Sequence, residues 1–164
     1  MTEDAFRLDR QLCFALHATS RAVTRAYGPF LAPLGVTYPQ YLVLLVLWEN
    51  DRLTVSRIGH LLHLDSGTLT PLLKRLEAQG IVVRARARAD EREVIVSLTT
   101  AGKNLRRRAE GIRDHVACAI GATPGELTQL RDSLSKILVR MQTTDPPLPA
   151  TPKPARQTRK QASR

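Results

Sequence analysis

The sequence predicts a mainly α, α+β protein with a central winged helix-turn-helix and with N- and C-terminal helices that form a dimerisation domain. Two short helical patterns lie in tandem within residues 53–80, and two alternating apolar strands around a charged tip follow in residues 81–99. Apolar stripes at helical spacing continue on both sides of this block. Two tandem helices followed by a basic hairpin are typical of winged helix-turn-helix domains, a DNA-binding class.

The length and charge of the chain favour one basic domain with a tail. Of its 164 residues, 43% are hydrophobic, which is enough to bury a core within residues 1–143. Residues 144–164 are rich in Pro, Lys and Arg, so we expect this tail to be disordered. The tail contributes +4 to the net charge of +10, and the rest of the chain carries +6. A basic body favours a polyanionic partner, although solubility alone would explain the same charge.

The sequence disfavours membrane, secreted and metal-binding proteins. Its longest apolar run, residues 41–48, is too short to span a bilayer, and its first ten residues are too charged for a signal peptide. We therefore expect a cytoplasmic protein without membrane contact, in which two cysteines would not form a structural disulfide. His60 and His63 could share a metal ion, but no acidic or thiol cluster completes a site nearby. We expect neither a metal nor a cofactor.

Two helices are expected before the winged block. The first, within residues 4–27, should end at Gly28-Pro29, because this pair breaks helices. The second should begin near Pro39, which suits a first helical turn, and it should be buried because it is apolar nearly all round. The stripe of the first helix consists of Phe6, Cys13, Leu16, Ser20, Val23 and Tyr27.

The second helix of the winged block presents a face that suits DNA. A first helix is expected within residues 53–62, and a cap at Asp65 or Ser66 should begin the second, which ends at Gly80. Pro71 should bend this helix modestly. Its buried side consists of Leu69, Leu72, Leu73 and Leu76. The opposite side offers small residues, hydroxyls and cations that can approach bases and phosphates. The candidates are Ser66, Gly67, Thr68, Thr70, Lys74 and Arg75.

The hairpin supplies further candidate DNA contacts. Arg84, Arg86 and Arg88 alternate, so they should share one side of the first strand. An arginine from the tip, Asp90-Glu91-Arg92, could enter the minor groove. A solvated loop is the alternative for an isolated hairpin, but the preceding helix pair favours DNA. The candidate DNA-binding residues here are Arg86, Arg88, Asp90 and Arg92.

Two more helices are expected after the hairpin. One should begin near Thr100, and a capping box at Thr123-Pro124-Gly125-Glu126 should begin the last. The stripe of the first consists of Leu105, Ala109, Ile112, Val116 and Ala119. The stripe of the last consists of Leu127, Leu130, Leu134, Ile137 and Met141. A single winged helix does not need both terminal regions, so residues 4–38 and 100–142 should pair two chains into a homodimer. Two-fold symmetry suits double-stranded operator DNA with a pseudo-palindromic sequence.

Two stretches carry a resemblance to a known family. Residues 64–84, LDSGTLTPLLKRLEAQGIVVR, and residues 90–99 with Gly102 resemble the MarR family of winged-helix repressors. Residues 12–49 are similar to its organic-hydroperoxide-sensing branch, the OhrR type. The resemblance implies a DNA-binding transcriptional repressor, and not an enzyme, whose signal is an organic hydroperoxide.

The resemblance also implies roles for four residues. Cys13 would be the sensing thiol, and the hydroxyls of Tyr27 and Tyr38 would hydrogen-bond it. Cys118 occupies the place of a resolving cysteine in the two-cysteine form of these sensors. Peroxide would convert Cys13 to a sulfenic acid, which condenses with Cys118 of the other subunit and causes release of DNA. Low-molecular-weight thiols would reverse the step.

The spacing of Cys13 and Tyr27 places their contact between two chains. Fourteen residues on one unbroken helix span about 21 Å, so these side chains cannot touch within one chain. We expect Cys13 about two turns beyond the helix start, which is too deep for the helix dipole to act strongly. Apolar neighbours such as Phe14 and Leu16 favour organic peroxides over hydrogen peroxide. Both cysteines could instead be small core residues.

Three other functions remain open at this point. A MarR-type repressor could release DNA on binding a small aromatic ligand, with inert cysteines. A thiol peroxidase is a second alternative, although the chain has no Cys-x-x-Cys and no thioredoxin-like alternation of strands and helices. The third is a nonspecific architectural DNA-binding protein, whose affinity would depend on salt alone.

Overall fold

A computed structural model describes residues 6–86 and 93–143 of the chain. The helices are α1 Leu12–Leu31, α2 Tyr38–Glu49, α3 Val55–Leu62, α4 Ser66–Ala78, α5 Thr100–Arg108, α6 Ile112–Ile120 and α7 Pro124–Thr143. The strands are β1 Leu53–Thr54, β2 Val82–Arg86 and β3 Val94–Leu98. The predicted mainly helical α+β fold is confirmed, with two tandem helices followed by a β-hairpin.

The chain divides into two compact units, Met1–Ala122 and Thr123–Arg164. In the first unit, the described strands form an antiparallel sheet in the order β1-β3-β2. The hairpin register pairs Arg84 with Val96 and Arg86 with Val94. In the second unit, α7 begins with the predicted capping box: Thr123 donates its backbone N–H to Glu126 at 2.8 Å, and the Glu126 N–H is donated to Thr123 Oγ1 at 3.3 Å.

The first helix differs from its prediction at both ends. Residues Leu8–Arg10 form a separate 3-10 turn and Gln11 is extended, so α1 begins only at Leu12. It does not end at Gly28-Pro29 but continues to Leu31, with Pro29 inside the helix. Proline removes one backbone N–H, and near the end of a helix this loss is small beside the burial of Leu31, which is 2% exposed.

The second helix is the centre of the core, as predicted. Its capping box is closed by Thr37, whose backbone N–H donates to Gln40 Oε1 at 2.8 Å. Val43, Leu44 and Leu47 have at most 1% of their surface exposed. The core extends from α2 to the C-terminal end of α1, to α3–α6 and to the hairpin. No single described helix is long and apolar enough to cross a membrane. Residues Leu12–Leu34 and α2 together reach the required length and hydropathy, but the chain bends by 73° between them.

The helix-turn-helix has a tight turn between α3 and α4. Thr54 caps α3 by accepting the Arg57 N–H at 3.1 Å, and His63 ends it in the left-handed region with φ 54°. The Leu64 N–H then donates to the carbonyl of Gly59 at 2.9 Å. A Cβ on Gly59 would lie 2.8 Å from the Leu64 carbonyl oxygen. Glycine at this position therefore allows the turn to fold back on α3.

Two elements were not predicted. Leu53 and Thr54 were placed in a helix but form β1, because they pair with Val96 and Ile95 of the distant β3. The helix expected from Thr100 onwards is two helices, α5 and α6, which are separated at Gly111 with φ 80°. The predicted stripe nevertheless holds in part, because its first four members are buried across this break: Leu105, Ala109, Ile112 and Val116.

Candidate nucleic-acid interface and thiol site

The second helix of the winged block, α4, begins with a side-chain cap at Asp65. Asp65 Oδ1 accepts the backbone N–H of Thr68 at 2.8 Å, and Asp65 Oδ2 accepts the Thr68 hydroxyl at 2.9 Å. These hydrogen bonds hold the pKa of Asp65 below its usual value. The cap is therefore Asp65, one of the two predicted residues, and it fixes the first turn of α4.

The two sides of α4 lie as the helical wheel predicts. Leu69, Leu73 and Leu76 are fully buried, while Leu72 is half-buried. Pro71 lies inside the helix without ending it. Five of the candidate DNA-binding residues on this helix are exposed: Ser66, Gly67, Thr68, Lys74 and Arg75. The sixth, Thr70, is half-buried. The exposed side carries both cations and is free of large apolar side chains.

The arginines of the wing differ in their surroundings. Arg86, the last residue of β2, is exposed. Arg84 shares its side of the strand but is only 23% exposed, because its guanidinium is paired with Glu77 at 2.7 Å. Sequence reasoning missed this ion pair, for which the only signal was an acidic residue seven positions before an arginine. The candidates Arg88, Asp90 and Arg92 lie outside the described residues.

The base of the hairpin is held by the turn after α2 and by α5. Asp51 Oδ1 accepts the backbone N–H groups of Leu98 and Arg52, each at 2.9 Å, and Lys103 Nζ lies 3.4 Å from Asp51 Oδ2. Burial raises the pKa of Asp51, but these three donors together lower it by more, so its pKa lies below the usual value. The carboxylate thus fastens the end of β3 to the turn after α2.

The thiol of Cys13 is exposed at the beginning of α1. We expected it two turns inside the helix, and this is wrong, because the helix starts at Leu12. Cys13 is the second residue of α1, where backbone N–H groups lack intrahelical acceptors and the positive end of the helix dipole lies. Its apolar neighbours on this segment are also exposed: Leu8 59%, Leu12 61%, Phe14 42% and Leu16 39%. Cys13 is not a core residue of the isolated chain.

The candidate tyrosines lie in an aromatic cluster at the other end of α1. The rings of Tyr27 and Tyr38 are 4.9 Å apart, and Tyr41 lies 5.8 Å from Tyr27 and 6.0 Å from Trp48. Burial first, and the neighbouring Tyr27 second, raise the pKa of Tyr38 and of Tyr41. The structure therefore brings Tyr27 and Tyr38 together. It keeps Cys13 apart from them, since fourteen residues of α1 span about 21 Å.

The second cysteine, Cys118, lies on α6. It is exposed, and its thiol is free, as is that of Cys13. The end of α1 packs on this helix, where the rings of Phe30 and His115 are 5.3 Å apart. Cys118 follows His115 by three residues on α6, and Phe30 lies near the C-terminal end of α1, whereas Cys13 lies at its N-terminal end.

Metal ligands do not cluster in the described parts of the chain. Within residues 6–86 and 93–143, no three His, Cys, Asp or Glu side chains lie together as a metal site would require.

A family model and several known proteins match this chain. The model of the transcriptional regulators SarA/Rot matches residues 25–108. The organic hydroperoxide resistance transcriptional regulator of Bacillus subtilis is 47% identical over 135 residues, which cover 82% of this chain and 92% of that protein. The regulator TtmR of Methylorubrum extorquens is 51% identical over 135 residues, which cover 82% of this chain and 69% of that protein.

Solved structures extend the likeness to the fold. The structure of reduced AbfR bound to DNA is 37% identical with a TM-score of 0.70 and covers 87% of this chain and 99% of its own. AbfR comes from Staphylococcus epidermidis. The disulfide form of AbfR gives a TM-score of 0.58 at 38% identity, over 84% of this chain and 97% of its own. The chain therefore belongs to the SarA/Rot family of MarR-like winged-helix proteins and is a transcriptional regulator of the MarR/OhrR type, not an enzyme.

Proposed function

We propose that this chain is a homodimeric repressor that binds pseudo-palindromic operator DNA and releases it when an organic hydroperoxide oxidises Cys13. The observation that carries the proposal is the place of this thiol. It is solvent-accessible, it lies in the first turn of α1, and it is surrounded by exposed apolar side chains. An accessible thiol at a helix N-terminus can react, and apolar surroundings suit an alkyl peroxide. The name of the Bacillus relative supports the same signal.

A second copy of the chain is the partner that these surfaces favour. All residues from Leu12 to Arg21 are exposed, although this segment is helical and partly apolar. In the other compact unit, α7 likewise exposes Leu130, Leu134, Leu138, Val139 and Met141. Isolated apolar helices gain stability mainly from packing, so both require a covering surface. Pairing of the terminal helices of two subunits would cover both.

The sensing site is then assembled from two subunits. Because Cys13 and Tyr27 are separated by about 21 Å along one helix, the tyrosine pair would meet Cys13 of the partner subunit. Tyr27 and Tyr38, whose rings are in contact, present their hydroxyls as hydrogen-bond donors to a thiolate. Oxidation would therefore act directly on the subunit interface.

The chemistry requires two thiols and one peroxide. The Cys13 thiolate attacks the peroxide O–O bond, becomes a sulfenic acid, and releases the alcohol. The Cys118 thiol of the other subunit then displaces the sulfenic oxygen, so that a disulfide and water form. Low-molecular-weight thiols reverse the reaction by exchange. Phe30, beside α6, lies about 26 Å along α1 from Cys13, which supports a disulfide between subunits rather than within one.

The DNA contacts are assigned to α4 and the wing. The exposed side of α4 would enter the major groove. Arg86, Arg88 and Arg92 would contact phosphates and the adjacent minor groove. Reduced AbfR is described as bound to DNA, which supports this assignment. A disulfide between helices of two subunits would change the spacing of the two winged modules, so that they no longer fit one operator.

Arg75→Ala tests the phosphate contact on the edge of α4. We expect weaker binding to all duplexes and a plot of log affinity against log salt that is less steep by about 0.9, because one phosphate contact is lost. Arg113→Ala on α6, which removes the same charge away from this face, is the matched control and should leave the slope unchanged. Equal slopes for Arg75→Ala and the unsubstituted protein would contradict the assignment.

The whole proposal is tested on a duplex that the protein itself selects from a random-sequence pool. DNA binding and non-reducing electrophoresis are followed before and after one equivalent of cumene hydroperoxide. We expect a cross-linked dimer that no longer binds the duplex and that recovers with dithiothreitol. Release of DNA without a cross-link would overturn the role of Cys118. Retention of DNA after oxidant would overturn peroxide sensing, and it would favour release by a small aromatic ligand.

A further inference from the structure

One ion pair connects α4 to the hairpin. Glu77 lies in the last turn of α4, and Arg84 lies in the middle of β2, beyond the turn at Gly80. Glu77 Oε2 accepts from Arg84 Nε at 2.9 Å and is 2.7 Å from its Nη2, while Glu77 Oε1 accepts the Arg84 backbone N–H at 3.3 Å. One carboxylate therefore holds both the side chain and the main chain of the strand.

This pair is more constrained than an ordinary surface ion pair. The side chains of Arg84 and Glu77 are 23% and 36% exposed, and Arg84 lies opposite the fully buried Val96 of β3. The two donors of the guanidinium share one carboxylate oxygen, and the third donor is backbone that cannot rotate away. Arg84 is the reason that the pKa of Glu77 lies below its usual value, so the carboxylate is charged at neutral pH.

We propose that Glu77 is a positioning residue for DNA recognition, which fixes the wing relative to the exposed side of α4 through Arg84. The inference rests on the proposed DNA-binding function. Because β2 leads directly from Arg84 to the exposed Arg86, any rotation of the strand about its contact with α4 moves that arginine relative to the helix. Arg84 itself acts as the partner of Glu77 and does not contact phosphate.

The charge of Glu77 separates positioning from other roles. A carboxylate in a DNA-binding unit repels phosphates, so its neutralisation strengthens binding to any DNA sequence. Loss of the Glu77–Arg84 ion pair, in contrast, weakens only sequence-specific binding, because that binding needs α4 and the hairpin to contact their bases at the same time. A residue that merely stabilised the fold would change both kinds of binding in the same direction.

Glu77→Gln is tested with the selected duplex and with the unselected random pool. We expect the affinity ratio of selected duplex to pool to fall about tenfold, an effect comparable to one mismatched base pair, while pool binding is unchanged or stronger. Glu110→Gln, which removes an equal charge in the turn after α5, is the control and should keep the ratio. In Arg84→Gln the ratio should fall likewise, and the double variant should lose no more than either single variant.

The outcomes separate this inference from the proposed function. If the wild-type protein selects no duplex from the pool, the proposed sequence-specific DNA binding is itself wrong. A wild-type protein that selects a duplex, with an unchanged ratio in Glu77→Gln, overturns the positioning role alone. Parallel loss of both affinities, or additive effects of the two substitutions, also overturns it, because a shared structural role would then suffice.

Discussion

Cys13→Ser is expected to abolish the response to organic hydroperoxide while DNA binding by the reduced protein stays within about threefold of wild type. Serine is similar in size but cannot form a sulfenic acid or a disulfide. Cys13 is exposed and contributes nothing to the core of the isolated chain, so the substitution should not unfold it. Oxidised wild type should lose about 100-fold in affinity for the selected duplex, and the variant should lose none. Fluorescence anisotropy with and without cumene hydroperoxide measures both.

Cys118→Ser is the matched control, because it leaves the sensing thiol intact. It should remain oxidisable at Cys13 without forming a cross-linked dimer on a non-reducing gel. Release of DNA by Cys13→Ser on oxidation would show that another group senses the peroxide.

Gly102→Ala is expected to destabilise the first compact unit by about 3 kcal/mol. A Cβ on Gly102 would overlap the carbonyl oxygen of Ile81 and lie 3.1 Å from Leu98 Cδ2. The overlapping atom belongs to the backbone and already accepts the Thr99 N–H at 3.0 Å, so it cannot move aside cheaply. In addition, the carbonyl of Gly102 accepts the Trp48 indole N–H at 3.0 Å. The junction of hairpin, α2 and α5 would have to open.

Thermal unfolding measures this effect, and the expected decrease in Tm is on the order of 10 °C. Gly125→Ala is the control, because a Cβ on this first-turn residue of α7 would have no atom within 4 Å. It should leave Tm unchanged or raise it slightly, since alanine favours a helix over glycine. A Tm for Gly102→Ala equal to that of the control would mean that α5 does not approach Ile81 this closely.

Local signals were sufficient for the DNA-binding half of the protein. The leucines of α4 recur at helical spacing, Asp65 supplies a cap, and Gly80 adopts a φ of 69° after the helix ends. The hairpin strands alternate in burial around Val96. Each of these features depends on residues close in sequence, so the elements could be placed before any tertiary contact was known.

Long-range contacts account for most of what the sequence did not reveal. The two residues of β1 are a strand only because β3 lies beside them, and Arg84 is paired rather than free in solvent only because α4 presents Glu77 to it. The start of α1 was misplaced because the apolar stripe was counted from Phe6, although Leu8–Arg10 form a separate 3-10 turn and Gln11 is extended. A pattern of side chains records which face is apolar, but it does not record where the backbone stops being helical.

The thiol site could be only half derived from one chain. Sequence spacing showed that Cys13 and Tyr27 cannot meet on an unbroken helix, and the helix is unbroken from Leu12 to Leu31. The surroundings of the thiol, however, depend on surfaces that a second subunit would supply. Its exposure in the isolated chain is therefore the expected property of a shared site.

A second subunit that covered the exposed first half of α1 would also couple sensing to the amount of protein. If the thiol acquires its tyrosine partners only on association, mass action links the number of competent sensors to protomer concentration. Dilution would then lower both the stability of the dimer and the peroxide reactivity of Cys13, because both depend on covering the exposed first half of α1. Such a repressor would bind DNA less tightly whenever its own concentration falls. Its concentration, as well as the reactivity of its thiol, would therefore set the peroxide level at which the genes it controls are expressed.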